Sequence, residues 1–283
     1  MKSEFIHFRV SVDQRTEVVN GKGDVSACEN DVWCVLRLPQ HTPGERERIP
    51  LVMYAHGSGG FVSENRVYHA FRENTDLLVK HGFAVFDVNG SNQEYRENGT
   101  RNMGSPGTVS AYMKAYDYIV THYPVEPRIF VHGTSMGGLS ALNFTVRNSG
   151  IVRAVSLVFP VTDLYGQAWL HPFSEDAREC IAREYGFSDK SGNTWESDKV
   201  AGYNPAENHT IRCGDQVFRF FPVPMLLMHG TADNWVDYRG TVAMYDGLRA
   251  TGCDVSIRLF EGAGHSFIPE MHHAELSFFR RFR

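Results

Sequence analysis

The sequence predicts an α/β protein built on a mostly parallel β-sheet with helices on both faces. Three observations predict it. Near-continuous apolar runs recur along the 283 residues, each short enough for a strand and apolar enough to be covered on both faces. Stretches with helical spacing of apolar residues lie between them, and strands alternating with helices imply parallel pairing by crossover. Three of the runs end in the same dipeptide, His56-Gly57, His132-Gly133 and His229-Gly230. In such sheets the ligand crevice lies at the carboxyl ends of the strands, so the three pairs point to one edge.

The elements follow in order. Phe5–Val10 and Val32–Leu38 alternate and carry β-branched or aromatic residues, so both read as strands. The polar stretch between them, with Gly21 and Gly23, reads as a hairpin loop. Pro50–His56 is a doubly covered strand. A helical pattern spans Asn65–His81, where Val67, Phe71, Leu77 and Leu78 fall near helical spacing and Gly82 is placed as the stop. Phe83–Val88 is the next buried strand, Asn89–Gly107 a polar loop, and Val109–His122 a helix closed by Pro124. A short strand Arg128–His132 leads through the turn Gly133–Gly137 into a helix to Asn148, and Ile151–Val158 is again a continuous apolar strand. The pattern then breaks. From Thr162 to Phe221 there are helical pieces but no buried strand, and the segment 163–222 is expected to be a cap or lid inserted into one domain. Alternation resumes with strand Pro224–His229, helix Arg239–Thr251, strand Asp254–Phe260 and a last helix from Pro269.

Bulk properties narrow the function classes. Composition is 42% hydrophobic and 22% charged, ordinary for a globular protein. A net charge of −5 argues against nucleic acid as a partner, because neutralising phosphates needs a Lys/Arg excess. The N-terminus MKSEFIHFRVSVDQR has no apolar signal-like core, and no run of about 18 apolar residues occurs, so neither a signal peptide nor a membrane span is expected. The expected compartment is the cytoplasm. Five cysteines (Cys28, Cys34, Cys180, Cys213, Cys253) form no C-x-x-C, which argues against a zinc or redox motif. Cys28 and Cys34 are near enough to pair in an oxidising compartment; in a reducing one the cysteines are mostly small buried side chains. No metal and no organic cofactor is implied, and the sequence sets no oligomeric state.

The chemistry concentrates at the predicted sheet edge. Gly133-Thr134-Ser135-Met136-Gly137 is a G-x-S-x-G between a strand and a helix. So sharp a turn holds its serine in strained backbone geometry, and the flanking glycines keep neighbouring Cβ atoms away from it. The hydroxyl then stands at a helix N-terminus, where backbone N–H groups favour developing negative charge. Ser135 is therefore the candidate nucleophile. One oxyanion donor is expected at the N–H of Met136 and a second from His56-Gly57-Ser58-Gly59-Gly60, at Ser58 or Gly57. His56 reads as a hydrogen-bonding structural residue. His265, in Gly262-Ala263-Gly264-His265, is the candidate base after the last strand. Asp233, after strand Pro224–His229, is the candidate acid that fixes its tautomer, with Asp237 and Asp163 as rivals. Phe61, Trp235 and Phe267 flank these segments as a candidate aromatic wall, or as core packing.

The segments HGSGG, GTSMGG, HGTADNWV and GAGHSF together resemble the α/β-hydrolase superfamily, in its dienelactone-hydrolase-like and prolyl-oligopeptidase-like branches. The resemblance implies an eight-stranded sheet and the roles assigned above. The acid motif looks like that of the prolyl-oligopeptidase branch; the large N-terminal propeller of those peptidases is not seen in the sequence. The expected activity is hydrolysis of a small carboxylic ester (short acyl, aryl, or acetylated or feruloylated sugar) through an acyl-enzyme. A peptidase or acylaminoacyl hydrolase is the alternative, and a non-catalytic binding module on the same fold is a third reading.

Overall fold

The apolar runs become strands in the order the sequence lays them out. The computed structural model describes residues 5–11, 17–19, 25–27, 31–39, 48–69, 72–90, 103–170, 175–208, 210–213, 216–219 and 221–283. Gly21, Gly23, Cys28, Phe71 and the loop residues 91–102 lie outside them. β1 (Phe5–Ser11) and β4 (Asp31–Arg37) pair antiparallel, with a small ribbon of β2 (Glu17–Val19) and β3 (Val25–Ala27) between them in the chain. β5 (Leu51–Ala55) follows, then a short hairpin of β6 (Phe61–Val62) and β7 (Val67–Tyr68), then α1 (Arg72–Lys80) and β8 (Ala84–Val88). The helix expected from Asn65 thus begins only at Arg72. Val62 pairs with Val67, and Phe61 stacks on Tyr68 at 6.0 Å, so β-branched and aromatic residues form a ribbon where helical spacing alone was read.

α2 (Pro106–His122) starts three residues before the expected Val109, because Ser105 caps it by accepting from the Thr108 N–H at 3.3 Å and Pro106 fits its first turn. β9 (Ile129–Thr134), α3 (Gly137–Arg147) and β10 (Val152–Val158) come next. The segment expected to be a helical cap holds α4 (Leu164–Trp169), α5 (Glu175–Glu184) and α6 (Pro205–Asn208). It also holds an antiparallel ribbon outside the main sheet, β11 (Thr210–Cys213) with β12 (Gln216–Arg219). β13 (Met225–Gly230), α7 (Tyr238–Ala250), β14 (Val255–Phe260) and α8 (Pro269–Arg280) complete the chain.

The main sheet has eight strands in the order β1-β4-β8-β5-β9-β10-β13-β14. β4 runs antiparallel to both β1 and β8, and every pairing from β8 to β14 is parallel. Strand alternation sorts β5 between two cores. Leu51, Met53 and Ala55 pack with Ala111, Tyr112, Leu142, Phe144 and Leu248 from α2, α3 and α7. Val52 and Tyr54 pack with Leu78, Phe278 and Phe279 from α1 and α8. Each fully buried Leu or Phe contributes about 1.5–3 kcal/mol relative to exposure. A third cluster, around Leu164, Ile181, Phe187 and Val200, joins the segment between β10 and β13 to Met136 and Leu139 of the Ser135 turn.

One buried residue closes that segment on itself. Asn204, 1% exposed, accepts from the Leu164 N–H at 3.0 Å and donates to Asp163 at 3.0 Å and Glu207 at 3.2 Å. Cys34 and Cys180 are buried and Cys253 is partly buried. Among the described residues no helix is long and apolar enough to cross a membrane, and no group of three or more His, Cys, Asp or Glu is placed to hold a metal ion.

Candidate active site

β9 delivers Ser135 to the sheet edge in a conformation that only close packing maintains. Its φ is +53°, the left-handed region that costs a non-glycine residue energy. The Ser135 N–H donates to the Val158 carbonyl at 3.1 Å, and its own carbonyl accepts from the Gly138 N–H at 2.9 Å and the Val161 N–H at 2.8 Å. The motif glycines are sterically required. A Cβ on Gly133 would lie 2.8 Å from the Ala141 Cβ, and one on Gly137 would lie 2.0 Å from the Ala55 carbonyl oxygen. The first glycine lets α3 fold back on β9, and the second lets the turn rest against the end of β5.

His265 and Asp233 converge on this turn from β14 and β13. His265 Nε2 is 3.0 Å from Ser135 Oγ, and His265 Nδ1 is 2.7 Å from Asp233 Oδ2. A carboxylate accepts only, so Nδ1 carries the proton and Nε2 is left to accept from the serine hydroxyl. The Asp233 carboxylate is buried. Its Oδ1 accepts from the N–H groups of Trp235 at 2.8 Å and Val236 at 3.0 Å, and His229 Nε2 lies 3.2 Å from its Oδ2. Burial alone would raise this carboxyl, but the bonds from His229, His265 and Val236 outweigh it and hold it well below the usual carboxylate range. The loops carrying acid and base lie against each other. Ala232 N–H donates to the Ala263 carbonyl at 2.9 Å, and a Cβ on Gly230 would come within 2.2 Å of that same oxygen. The Phe159 ring, on a second left-handed residue (φ +38°), packs 4.3 Å from the His265 ring.

The other expected residues distribute as follows. Asp237 caps α7 by accepting from the Arg239 N–H at 2.9 Å, and Asp163 caps α4 by accepting from the Tyr165 N–H at 3.0 Å; the His265 partner is Asp233. Gly57 lies directly over the nucleophile turn, where a Cβ would be 3.1 Å from the Ser135 Cβ, while the Ser58 side chain is exposed. Met136 is buried at the head of α3. The three aromatics have separate surroundings: Phe61 faces Tyr68 and Arg66, Phe267 stacks 4.2 Å from His272, and Trp235 is exposed.

Sequence reasoning marked His56 as a hydrogen-bonding structural residue but missed its buried partners behind this edge. His56 Nδ1 bonds Asp87 Oδ2 at 2.8 Å, His69 Nε2 lies 2.8 Å from the same oxygen, and Tyr112 donates to Asp87 Oδ1 at 2.7 Å. The available signal was an aspartate inside the otherwise apolar run FAVFDV. His132 bonds Glu275 and Asn74, and His229 bonds Thr241 at 2.7 Å, so all three strand-end histidines are buried hydrogen-bonding residues. No sequence pattern marked Phe159.

A hydroxyl, an imidazole and a carboxylate in this series can carry out acyl transfer, with the hydroxyl attacking as the imidazole takes its proton. Residues 69–282 match the prolyl oligopeptidase family. The acylaminoacyl peptidase of Pyrococcus horikoshii is similar in structure, with 17% identity, a TM-score of 0.69, and coverage of 100% of this chain and 42% of that one. A puromycin-hydrolyzing peptidase of Mycobacterium tuberculosis is similar over 96% of this chain and 40% of its own, at 20% identity and a TM-score of 0.66. An S-formylglutathione hydrolase from Agrobacterium tumefaciens matches over 100% of this chain and 97% of its own, at 15% identity and a TM-score of 0.65. The chain thus spans about two fifths of the length of the two peptidases. Among curated protein sequences, none matches this chain.

Proposed function

Because this chain belongs to the prolyl oligopeptidase family of serine hydrolases, we propose that it hydrolyses small carboxylic esters through an acyl-enzyme formed on Ser135. The observation that carries the reading is the continuous series Asp233–His265–Ser135, with spacings of 2.7 and 3.0 Å. Ser135 Oγ attacks the ester carbonyl while His265 Nε2 takes its proton. The tetrahedral oxyanion is held by the Met136 N–H and by an N–H of the Gly57–Ser58 backbone. Collapse expels the alcohol, which leaves with the proton from His265. Water activated by the same imidazole then releases the acid. Asp233 stays ionised throughout and stabilises the imidazolium, a role its depressed pKa suits.

The ester reading is supported by the match to the formylglutathione hydrolase over nearly the whole of both chains. A second reading, cleavage of peptide or acylaminoacyl bonds, is supported by the family and by the peptidases among the similar structures. One experiment separates them. Wild type and Ser135→Ala are assayed on p-nitrophenyl acetate, butyrate and octanoate beside an aminoacyl-p-nitroanilide. The expected result is ester turnover that falls by roughly 10⁶-fold in Ser135→Ala, as for loss of a nucleophile within a triad, and no anilide cleavage. Ser135-dependent anilide cleavage puts the peptidase reading first; near-normal ester turnover in Ser135→Ala overturns both.

A further inference from the structure

We propose that Asp87 is a positioning residue for the oxyanion loop, acting through the ring of His56; this rests on the reading of Ser135 as nucleophile. Asp87 is fully buried at the end of β8, in an otherwise apolar strand. A lone carboxylate there would be strongly destabilising, and the hydrogen bonds from His56, Tyr112 and the Val88 N–H favour its charged form. Oδ2 faces both His56 Nδ1 and His69 Nε2 at 2.8 Å, and Oδ1 accepts from the Tyr112 hydroxyl and the Val88 N–H, each at 2.7 Å. The residue makes no contact with Ser135, His265 or Asp233 that would give it a direct part in the chemistry.

Its connection to the chemistry runs through one ring. His56 immediately precedes Gly57, and its imidazole fills the space beneath the turn Gly57–Gly60, which closes with a Gly60 N–H to Gly57 carbonyl bond of 3.1 Å. The packing is tight enough that a Cβ on Gly60 would lie 2.6 Å from His56 Cδ2. The other side of the same turn lies on the nucleophile, with the Gly57 Cβ position 3.1 Å from the Ser135 Cβ. The ring is therefore a spacer between a fixed carboxylate and the backbone proposed above to hold the oxyanion. Hydrogen-bond donors of this kind act only when held where charge develops, and small displacements weaken the transition state more than the bound substrate.

The test uses Asp87→Asn, whose amide has the carboxylate's shape but offers His56 a donor in place of an acceptor. Kinetics on p-nitrophenyl butyrate are expected to show kcat lower by about 10–100-fold with KM near wild type, the cost of misplacing a positioned group. Inhibition by a trifluoromethyl ketone, whose hemiketal oxyanion occupies the same hole, should weaken by the same factor as kcat/KM. His56→Asn keeps a donor for Asp87 but removes the ring from beneath Gly60, and should give the same split; it also serves if Asp87→Asn does not fold. Tyr112→Phe removes a bond to the other carboxylate oxygen and should leave kcat close to wild type. A wild-type kcat in Asp87→Asn or His56→Asn overturns the inference, as does an equal kcat loss in Tyr112→Phe or a loss carried in KM. Ser135→Ala, measured beside them, distinguishes the two failures. Turnover surviving in that variant overturns the nucleophile reading itself, whereas Ser135-dependent turnover that ignores Asp87 overturns only this one.

Discussion

The turn that carries Ser135 and the two loops that carry Asp233 and His265 are built on opposite plans. The turn is local and steric: its residues are neighbours in sequence, its backbone is fixed by bonds to Val158, Val161 and Gly138, and two of its glycines have no room for a Cβ. The loops are long-range and chemical. Asp233 and His265 are 32 positions apart and meet because a carboxylate with four donors around it accepts from the imidazole. Substitutions in the loops should therefore change rate with the fold intact, and substitutions in the turn should change folding first.

The sharpest use of this contrast is Asp233→Asn. The amide would present a donor to His265 Nδ1 and favour the wrong tautomer, so kcat is expected to fall by about 10⁴-fold, the size of the same change in serine proteases, with little effect on stability. Asp237→Asn, a change at the α7 cap, should leave kcat near wild type and cost at most about 1 kcal/mol of stability. Equal losses of activity in the two variants would undo the assignment of the acid.

The next largest effect should come from Gly137→Ala. With its Cβ placed 2.0 Å from the Ala55 oxygen, the turn and β5 must move apart, at a cost of about 1–3 kcal/mol or more in urea unfolding. Gly264→Ala, beside the base, has only the Ala232 carbonyl oxygen within 4 Å, at 3.9 Å, and should stay within about 0.5 kcal/mol. Comparable destabilisation by both would mean that the steric difference between the regions is not real.

The smallest effect lies in pH. Desolvation lowers the pKa of buried His69 despite the attraction of Asp87, so the unfolded chain takes up a proton on this residue more readily than the folded one. Its contribution to stability is fully present above the ordinary histidine pKa of about 6.5 and is lost as pH falls below it. Asp233, held below the usual carboxylate range, loses its contribution only below about pH 3.9. Urea midpoints should thus decline between pH 7.5 and 5.0, and His69→Gln should flatten the decline. An unchanged slope in that variant would place the acid sensitivity elsewhere.

What was legible in the sequence follows the same division. G-x-S-x-G names its own geometry, because strand, turn and glycine spacing are local, and β5, β8, β9, β10 and β13 are mostly apolar runs that burial on both faces dictates. Asp233 and His265 could be picked out by chain order after their strands, and only its place nearer the strand end sets Asp233 apart from Asp237. The second strand of the Phe61–Tyr68 ribbon falls inside the helical pattern expected from Asn65, since Val67 and Leu77 fit a helical spacing and two-residue strands leave too short a pattern to compete. Asp87 escaped because its meaning depends on His56, His69 and Tyr112, which the fold alone brings together.

Asn204 has a consequence for how such a protein can change over generations. By joining its own position to Leu164 and Asp163, it shuts the stretch between them into a ring at its base. The cost of closing a longer ring grows only logarithmically, about 0.6 kcal/mol for each doubling. The stretch is therefore a cassette. Exposed residues inside it can be added, removed or rewritten, whereas Ile181, Phe187 and Val200, which pack in one cluster with Met136 and Leu139 at the Ser135 turn, have to stay.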